Sequence, residues 1–561
     1  NGDFTIWSNT QIPYFLKRNL ATTMGVPENK VRVIKPKVGG GFGQKLDMFA
    51  KDFCACWFAR ELGRPVKFIY DREEVFQMTR QRHPMYLTVK TGVTKRGKIL
   101  AQHITAHADG GAYNSTAPLM ITLSAFFVMI PYRIDNLIYD GHHIYTNKPV
   151  GGAMRGHGVP QPRFAIERQV DLIAKRIGVD PVEMRLLNAI KAGEPHAAGF
   201  VINTCGFAES VEEAAKAIGW KEKRGKLPFG RGIGLAGSAW PSGVANMAHL
   251  ASGAVVQLMR EGRVNVLSGA ADIGQGAETV INQIVAEQLG VAMEDVHITA
   301  ADTGLCPLDA GTFGSGVTVR AGHAALAAAN DVREQLFPFV ADWLECGPDD
   351  LEAADRRIWV RGNPERGMSL SEALKRYQYA DMPLPIVGRG AWIPPADQPT
   401  DLLTENGNFA PNYSFMTQAA EVEVDVDTGK VTVLRMVTAH DCGQPINPML
   451  VEGQLEGSMV GGMGQALYED STCIDGQQPN PSFLDYGFPT MLEIPDMDSR
   501  HIDTDDPLGP FGAKEAGEGT QLAPAPAIVN AIADAIGVEF DRLPVTPQMI
   551  LEALKKQKDA S

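Results

Sequence analysis

The stretch Phe511-Gly-Ala-Lys-Glu-Ala-Gly-Glu-Gly519 gives the strongest indication of fold and chemistry in this chain. Three other glycine-rich segments accompany it: Gly39-Gly-Gly-Phe-Gly-Gln-Lys45, Arg155-Gly-His-Gly158 and Gly274-Gln-Gly276. Glycine has no Cβ and tolerates unusual backbone angles, so such loops let the backbone approach a large ligand closely. The carboxylate of Glu518 is the candidate chemical group among these loops.

The composition is that of a large, acidic globular protein. The chain has 561 residues, of which 44% are hydrophobic and 21% charged, so two or more domains are expected. A formal net charge of −14 argues against a nucleic-acid partner, since phosphate binding needs a basic face. The longest apolar run, Leu119 to Tyr132, is too short for a membrane span. Seven irregularly spaced cysteines and the lack of a signal-peptide pattern indicate a reducing, cytoplasmic location.

Two distant segments repeat the same order of predicted elements. Each has a strand, a loop with a glutamine, a helix, a Gly-Val turn and a second strand, and the segments are residues 4–34 with Gln11 and residues 264–299 with Gln275. The matched order indicates two related units. In each unit the helix would begin just after the glutamine loop, and free amides at a helix N-terminus suit phosphates and other anions.

The remaining pattern predicts an α+β fold of two related halves, with mixed sheets and peripheral helices. A charged stretch ending at Pro228 places a domain boundary near residue 220, which gives segments 1–220 and 221–561. Residues 347–399 form a polar, proline-containing insertion. Predicted helices are Lys51–Leu62, Phe164–Ile177, Ala321–Val332 and Leu522–Ile536, and predicted strands include Val66–Asp71, Arg80–Val89, Ile99–Ala108 and a pair within Ala419–Val437. The small side chains of the alanine-rich helix 321–332 predict close packing.

The loop at residues 39–45 follows a predicted strand and precedes a helix, as a phosphate-binding loop would. It lacks the Gly-Lys-Ser/Thr ending of a P-loop and fits the dinucleotide pattern G-x-G-x-x-G poorly. Residue types alone therefore leave two interpretations open, a phosphate cradle and a tight turn.

Taken together, the motifs resemble the molybdenum-binding subunit of the xanthine oxidase family, the molybdenum hydroxylases. The resemblance runs from about residue 3 to about residue 540 and depends on the order and spacing of the set. The resemblance also implies that the small first domain of that family is missing here, and that either a separate chain supplies it or the sequence is cut there. Besides the glycine loop, the motifs are Ala153-Met-Arg-Gly-His-Gly158, Asp272-Ile-Gly-Gln-Gly276, Thr312-Phe-Gly-Ser315, Val451-Glu-Gly-Gln-Leu-Glu-Gly457 and Gly517-Glu518.

The resemblance implies a molybdenum–molybdopterin cofactor, in bacterial members often its cytosine dinucleotide form. Its pterin dithiolene would hold the metal, so no protein side chain is expected to ligate molybdenum directly. A large anionic pterin needs many amide donors and an arginine, which these loops supply. The positions that match the family's cofactor contacts are Gln11, Gly41, Phe42, Gly43, Arg155, Gln275, Thr312, Gly314, Ser315 and Gln454.

Glu518 matches the family's catalytic carboxylate. The implied role is a general base that removes a proton from the hydroxyl oxygen that attacks an electron-poor sp² carbon, while the metal centre takes up a hydride. Desolvation would raise the pKa of Glu518 toward the working pH. Water is the implied oxygen source, and the electrons would leave through a small subunit with two [2Fe–2S] clusters and a subunit with FAD, in a heteromeric complex.

Three positions depart from the purine-oxidising members. Leu46 replaces a glutamate, Leu123 an arginine and His157 a phenylalanine. Losing both polar anchors would leave purine heteroatoms unpaired, at a cost of about 1–3 kcal/mol each, so xanthine is not the expected substrate. An apolar pocket with one histidine suits an aromatic or N-heteroaromatic ring or an aldehyde.

Other members of the family and other classes of protein remain as alternatives. Members that reduce 4-hydroxybenzoyl-CoA run the same centre in the opposite direction, as a reductive dehydroxylation. The carbon monoxide dehydrogenase branch needs a cysteine near the metal, and Gly151-Gly-Ala-Met154 has none. A non-catalytic cofactor carrier and a structural scaffold are the alternatives from other classes, and the presence of Glu518 beside the full set of cofactor loops argues against the carrier.

Overall fold

A computed structural model describes residues 2–244, 251–379, 385–393 and 407–560. Its strands are β1 Phe4–Trp7, β2 Val31–Ile34, β3 Met85–Val93, β4 Ile99–Gly111, β5 Leu137–Tyr145, β6 Arg231–Pro241, β7 Ser252–Leu258, β8 Val264–Ser268, β9 Val296–Ala300, β10 Leu351–Ala354, β11 Arg357–Val360, β12 Asn363–Ser369, β13 Ile386–Trp392, β14 Tyr413–Val424, β15 Val431–Asp441 and β16 Asp496–His501. Its helices are α1 Pro13–Met24, α2 Ala50–Leu62, α3 Arg72–Met78, α4 Ala117–Phe127, α5 Pro160–Ile177, α6 Pro181–Asn188, α7 Phe207–Ile218, α8 Trp220–Lys223, α9 Ala277–Leu289, α10 Val317–Leu344, α11 Leu370–Gln378, α12 Pro448–Leu467, α13 Pro524–Ile536 and α14 Pro547–Ala560.

The repeated strand–helix–strand pattern is confirmed as two parallel βαβ units. Strands β1 and β2 pair in parallel and are joined by α1, and strands β8 and β9 pair in parallel and are joined by α9. Both helices end at a glycine with left-handed angles, Gly25 and Gly290, as their Gly-Val turns predict. An isolated antiparallel bridge between Ile34 and Asp302 joins the ends of the two units, so their glutamine loops lie near each other.

The sheets are mixed and the helices lie outside them, which confirms the predicted α+β class. Strand order in the larger sheets is β13-β7-β8-β9 and β16-β15-β14-β6, and each contains both parallel and antiparallel pairs. A third sheet, β3-β4-β5, carries the antiparallel pair β3–β4 that the sequence predicts. Within the described ranges, no helix has the length and apolar character needed to cross a membrane.

Direct helix-on-strand contact fixes the two helices that begin near the site. A Cβ at Gly390 of β13 would lie 1.9 Å from the carbonyl oxygen of Ala324 in α10, and one at Gly234 of β6 would lie 2.3 Å from the amide nitrogen of Ala531 in α13. Only glycine allows such contact between backbones. The alanine-rich helix packs closely as predicted, and the loops that precede α10 and α13 are thereby held in place.

Some local predictions are wrong. Residues 66–71 form no strand: Asp71 instead caps α3, because its side chain accepts from the Glu74 amide while the Glu74 side chain accepts from the Asp71 amide. The strand expected from Arg80 begins at Met85, after Pro84, which has no amide hydrogen to donate. Instead of extending this strand, Gln81 forms an isolated parallel bridge with Gly151.

The boundary near residue 220 stays a prediction. Helix α7 precedes it, yet α7 packs against β14 and β15, which follow it. The insertion at 347–399 contains β10–β13 and α11, and its residues 380–384 and 394–399 lie outside the described residues. The site therefore depends on elements from both sides of the boundary.

Candidate active site

One cavity of about 580 Å³ brings together every site residue that the sequence predicts. Segments from the whole length of the chain surround it, including the glycine-rich loops, the N-terminal ends of α10 and α12, and the loop before α13. Its lining includes Gln11, Gly41, Phe42, Gly43, Leu46, Leu123, Arg155, His157, Gln275, Thr312, Gly314, Ser315, Gln454 and Glu518.

Gln11 links two of the loops around this cavity. Its Nε2 donates to the carbonyl of Thr312 at 2.6 Å, and its Oε1 accepts from the amide of Gly43 at 3.0 Å. A Cβ at Gly41 would lie 2.6 Å from the same Oε1. The side chain of Gln11 is thus engaged with protein, and its contribution to the cavity is to hold the glycine loop in shape.

Gln275, the counterpart of Gln11 in the second unit, is used differently. Its Oε1 accepts from the amide of Ile273 at 2.7 Å, so its side chain folds back onto its own loop. The two loops still touch, because the amide of Gly40 donates to the carbonyl of Ile273 at 2.8 Å. The related units thus form one continuous wall of backbone.

Arg155 ties three loops together. Its Nε donates to the carbonyl of Gly517 at 2.7 Å, and one terminal nitrogen donates to the carbonyl of Gln454 at 3.0 Å and to Oγ1 of Thr520 at 3.1 Å. Its own amide donates to the carbonyl of Phe42 at 2.6 Å. Burial lowers the pKa of Arg155 to about 10. The guanidinium therefore positions the loops from within the protein.

Glu518 is held at the cavity wall by groups from two other loops. Its Oε1 accepts from the amide of Gly156 at 3.2 Å, and its Oε2 accepts from Oγ of Ser315 at 3.1 Å. Removal from bulk water raises the pKa of Glu518, and these two donors and Arg155 oppose the rise. A carboxyl group with a raised pKa and a fixed orientation is suited to general-base chemistry.

Two ionisable neighbours of Glu518 escaped the sequence prediction. Glu515, only 2% exposed, lies in the same loop, and burial raises its pKa to about 7. Arg82 donates to the carbonyl of Arg155 at 2.8 Å, and burial lowers its pKa to about 10. Proximity to Glu518 in sequence could have identified Glu515, whereas only the folded chain brings Arg82 close.

The predicted substrate side of the cavity is mostly apolar. Leu46 and Leu123 line it as expected from sequence, and the structure adds Leu119, Phe127, Trp240, Val244 and Phe409. These added residues come from α4, β6 and loops that carry no recognisable motif. A planar apolar molecule would therefore meet apolar side chains on several sides.

His157 is buried in this wall, with its Nε2 3.1 Å from Oγ1 of Thr116. Burial, with smaller effects of His83 and Arg82, lowers the pKa of His157 to about 3. The imidazole is consequently neutral at physiological pH, and it offers hydrogen-bonding capacity without charge.

The cavity residues fit an anionic pterin. Helix α10 begins at the cavity-lining residues Val317 and Thr318, its N-cap Gly316 has no side chain to cap it, and its first turn holds no acidic residue. Free amides at such a helix end attract anions. Across the described ranges no cluster of three or more His, Cys, Asp or Glu residues could hold a metal by itself. Cys442 lines the cavity, but burial raises the pKa of its thiol to about 12.

Comparison with known proteins agrees with this fit. Family models described as molybdopterin cofactor-binding domain match residues 1–189 and 210–495. The xanthine dehydrogenase molybdenum-binding subunit of Escherichia coli O157:H7 is 34% identical over 98% of this chain and 72% of its own length. The chain belongs to the molybdenum hydroxylase family. As a member of the xanthine oxidase group it is the molybdenum-binding subunit of a molybdenum-dependent oxidoreductase.

Other molybdenum hydroxylases differ in their named substrates. Subunit gamma of the 6-hydroxypseudooxynicotine dehydrogenase complex of Paenarthrobacter nicotinovorans is 35% identical over 97% of this chain and 69% of its own length. The crystal structure of quinoline 2-oxidoreductase from Pseudomonas putida 86 has a TM-score of 0.88 and 27% identity, and the match covers 99% of this chain and 72% of the other. Similarity of the whole chain thus identifies the family, and the choice of substrate has to be argued from the pocket.

Proposed function

We propose that this molybdenum hydroxylase subunit oxidises an aromatic, N-heteroaromatic or aldehyde substrate at an sp² carbon, with water as the oxygen source. The observation that carries the proposal is the position of Glu518, fixed by Gly156 and Ser315 in the same cavity as the apolar wall. A general base and an apolar binding surface are the two features that such a reaction needs from the protein.

The bound cofactor supplies the two-electron redox chemistry. Its pterin would lie against the backbone of the Gly41–Gly43 loop, the Thr312–Ser315 loop and the start of α10, where the amides and the helix dipole favour negative charge. Gln11 and Arg155 act by fixing these loops. The cytosine dinucleotide form of the cofactor is part of the proposal.

The side chains of the protein supply proton transfer and orientation. Glu518 accepts a proton from the water-derived oxygen that attacks the substrate carbon, and its raised pKa makes it a stronger base than an ordinary glutamate. The apolar wall excludes bulk water and orients the ring or aldehyde. His157 adds one neutral hydrogen-bonding group to that wall.

Xanthine is excluded from the proposed substrates. One relative carries xanthine dehydrogenase in its name, but Leu46 and Leu123 line the cavity here and offer no hydrogen bond to a purine. Each unpaired polar group would cost about 1–3 kcal/mol. A substrate with few polar atoms avoids this cost.

The proposal includes partners and a cytoplasmic location. Electrons would leave through an iron–sulfur subunit with [2Fe–2S] clusters and a subunit with FAD, and the words subunit and complex in a relative's name are in keeping with such an assembly. All seven cysteines are free thiols in the structure, which supports a reducing compartment.

The test uses the purified complex, with a Glu518→Gln variant and Glu452→Gln, an exposed residue of α12, as the matched control. We expect about one molybdenum per copy of this chain, reduction of the metal centre by an aromatic or aldehyde substrate, and a loss of about 10²–10⁴-fold in Glu518→Gln with molybdenum retained. Near-normal reduction in that variant would remove Glu518 from the mechanism.

The same preparations address the alternatives. Xanthine turnover equal to that of the best aromatic or aldehyde substrate would contradict the pocket argument. Molybdenum without turnover of any substrate would indicate a cofactor carrier, and oxidation of a reduced centre by an aromatic acyl-CoA would indicate the reductive direction.

A further inference from the structure

A second carboxyl group, Glu515, lies directly beneath the loop that carries Glu518. Its Oε2 accepts from the amide of Gly517 at 2.7 Å and from the amide of Glu518 at 3.1 Å, while its Oε1 accepts from the hydroxyl of Ser414. Both oxygens are therefore occupied by donors of the protein. Both residues line the cavity, but the side chain of Glu515 is engaged with its own loop and with Ser414.

The glycines on either side of Glu518 make room for this arrangement. A Cβ at Gly519 would lie 2.6 Å from Oε1 of Glu515, and one at Gly517 would lie 2.8 Å from Oγ of Ser315. The Gly-Glu-Gly sequence is thus explained by two side chains packed against it. Because the Glu518 amide also donates to Oγ of Ser315 at 2.9 Å, Glu515 and Ser315 together fix the backbone from which Glu518 projects.

Charged and titratable groups surround this buried carboxyl on several sides. Burial raises the pKa of Glu515 to about 7, the Ser414 hydroxyl opposes the rise, and the charge of Glu518 adds to it. The groups that face it from other elements are Arg155, the Cys442 thiol and His440, whose Nε2 lies 3.1 Å from the Glu515 carbonyl. The neighbouring Lys514 is neutralised by its buried ion pair with Asp441 at 2.8 Å.

We propose that Glu515 is a positioning residue for Glu518, which fixes the Gly517–Glu518 backbone through hydrogen bonds to two amides. This inference rests on the proposed function, because it assigns Glu515 a role through Glu518. In this role Glu515 acts through the orientation of its neighbour.

Two substitutions separate orientation from charge. Glu515→Gln keeps an oxygen that can accept from both amides and removes the charge, whereas Glu515→Ala removes both. Ser414→Ala is the third variant, since it removes the donor to the other oxygen and leaves the amide contacts in place. All are prepared in the assembled complex, and molybdenum content and melting temperature are measured before any rate.

The expected results differ between the variants. In Glu515→Gln, reduction of the metal centre by substrate keeps its rate and its KM, because the glutamine oxygen still accepts from both amides. The acid limb of the pH profile stays in place, because the charge of Glu518 raises the pKa of Glu515 and Glu515 is therefore the later of the two to ionise. In Glu515→Ala the rate falls by about tenfold to a hundredfold at every pH, as expected for a misplaced base. In Ser414→Ala the ionisation that belongs to Glu515 moves to higher pH.

Infrared difference spectra of the wild type are expected to show a carboxyl band that titrates near pH 7 and is missing in Glu515→Gln.

Several outcomes would overturn the inference. They are a rate in Glu515→Gln that falls as far as in Glu515→Ala, an unchanged rate in Glu515→Ala, persistence of the infrared band in Glu515→Gln, or equal loss of molybdenum in both variants, which would make the residue purely structural. Failure of the proposed function is distinguishable, since it appears as full activity in Glu518→Gln. If Glu518→Gln is inactive and the Glu515 variants behave as wild type, only the inference about Glu515 fails.

Discussion

Ser315 and Glu518 make a reciprocal pair of hydrogen bonds across two loops. Oγ of Ser315 accepts from the backbone amide of Glu518 at 2.9 Å and donates to the Oε2 of the same residue at 3.1 Å. Ser315 precedes α10 and Glu518 precedes α13, so one hydroxyl joins the two loops held in place by close helix-on-strand packing. The orientation of the candidate base is consequently coupled to the fold of both sheets.

Removing the Ser315 hydroxyl is expected to make Glu518 a stronger base that ionises at higher pH. The donated hydrogen bond favours the carboxylate, so its loss raises the pKa of Glu518, and the acid limb of the rate profile should move up by about one to two pH units. Because Ser315 has a φ of 53°, glycine suits its backbone better than alanine does. Ser315→Gly and Ser315→Ala are therefore compared, and the shift is measured from reduction rates across pH. A shift in the alanine variant alone would indicate backbone strain instead of the lost hydroxyl.

Arg155 is expected to be essential for holding the cofactor loops together. Lysine has one nitrogen and cannot reach Gly517, Gln454 and Thr520 at once, so Arg155→Lys should lower both the molybdenum content and the melting temperature. Arg168→Lys is the matched control, since Arg168 is also buried and bonds to the Phe540 carbonyl, but does not line the cavity. The control should melt earlier and keep its molybdenum. Full molybdenum content in Arg155→Lys would contradict the assignment.

The membership of the site could be predicted from the sequence because each glycine-rich loop is a local pattern and their order is specific. The partners of these residues could not be predicted. Gln11 bonds to Thr312 and Arg155 bonds to Gly517, and such distant pairs are determined by the way the chain folds back. Both side chains therefore hold protein loops, a use that the family motif alone does not specify.

Local patterns also failed where the tertiary environment or a cap decided the structure. Residues 66–71 have the composition of a strand, but the reciprocal cap between Asp71 and Glu74 starts a helix immediately after them. Conversely, the close packing of the alanine-rich helix could be predicted from its small side chains. Gly388 and Gly390 of β13, which have no side chains, lie directly against it. The domain boundary near 220 and the roles of the individual site residues stay predictions.

The contact between α10 and β13 is expected to be intolerant of even one methyl group. Gly390→Ala would place a Cβ 1.9 Å from the carbonyl of Ala324, so the helix or the strand must move and the melting temperature should fall by several degrees. Gly453→Ala is the control: Gly453 lies in α12, its added Cβ would meet no atom within 4 Å, and alanine should raise helix stability by about 0.5–1 kcal/mol. Calorimetry of the two variants beside the wild type decides the point. An unchanged melting temperature in Gly390→Ala would show that the two elements separate easily.

His157 is expected to affect substrate binding without contributing to the pH dependence. Burial lowers its pKa to about 3, so the imidazole stays neutral from about pH 5 upward and changes no charge in the working range. In His157→Phe the acid limb of the rate profile should therefore stay where it is in the wild type. The variant loses the contact with Thr116 and the hydrogen-bonding edge of the ring, so KM should rise by about tenfold for a substrate with a heteroatom beside the ring and change little for an apolar aldehyde.

His196→Phe is the control, because His196 is another histidine whose pKa is lowered by burial, and it lies outside the cavity. Loss of the acid limb in His157→Phe, with Glu518 intact, would mean that His157 titrates during turnover, and the role of general base would pass from the carboxylate to the imidazole.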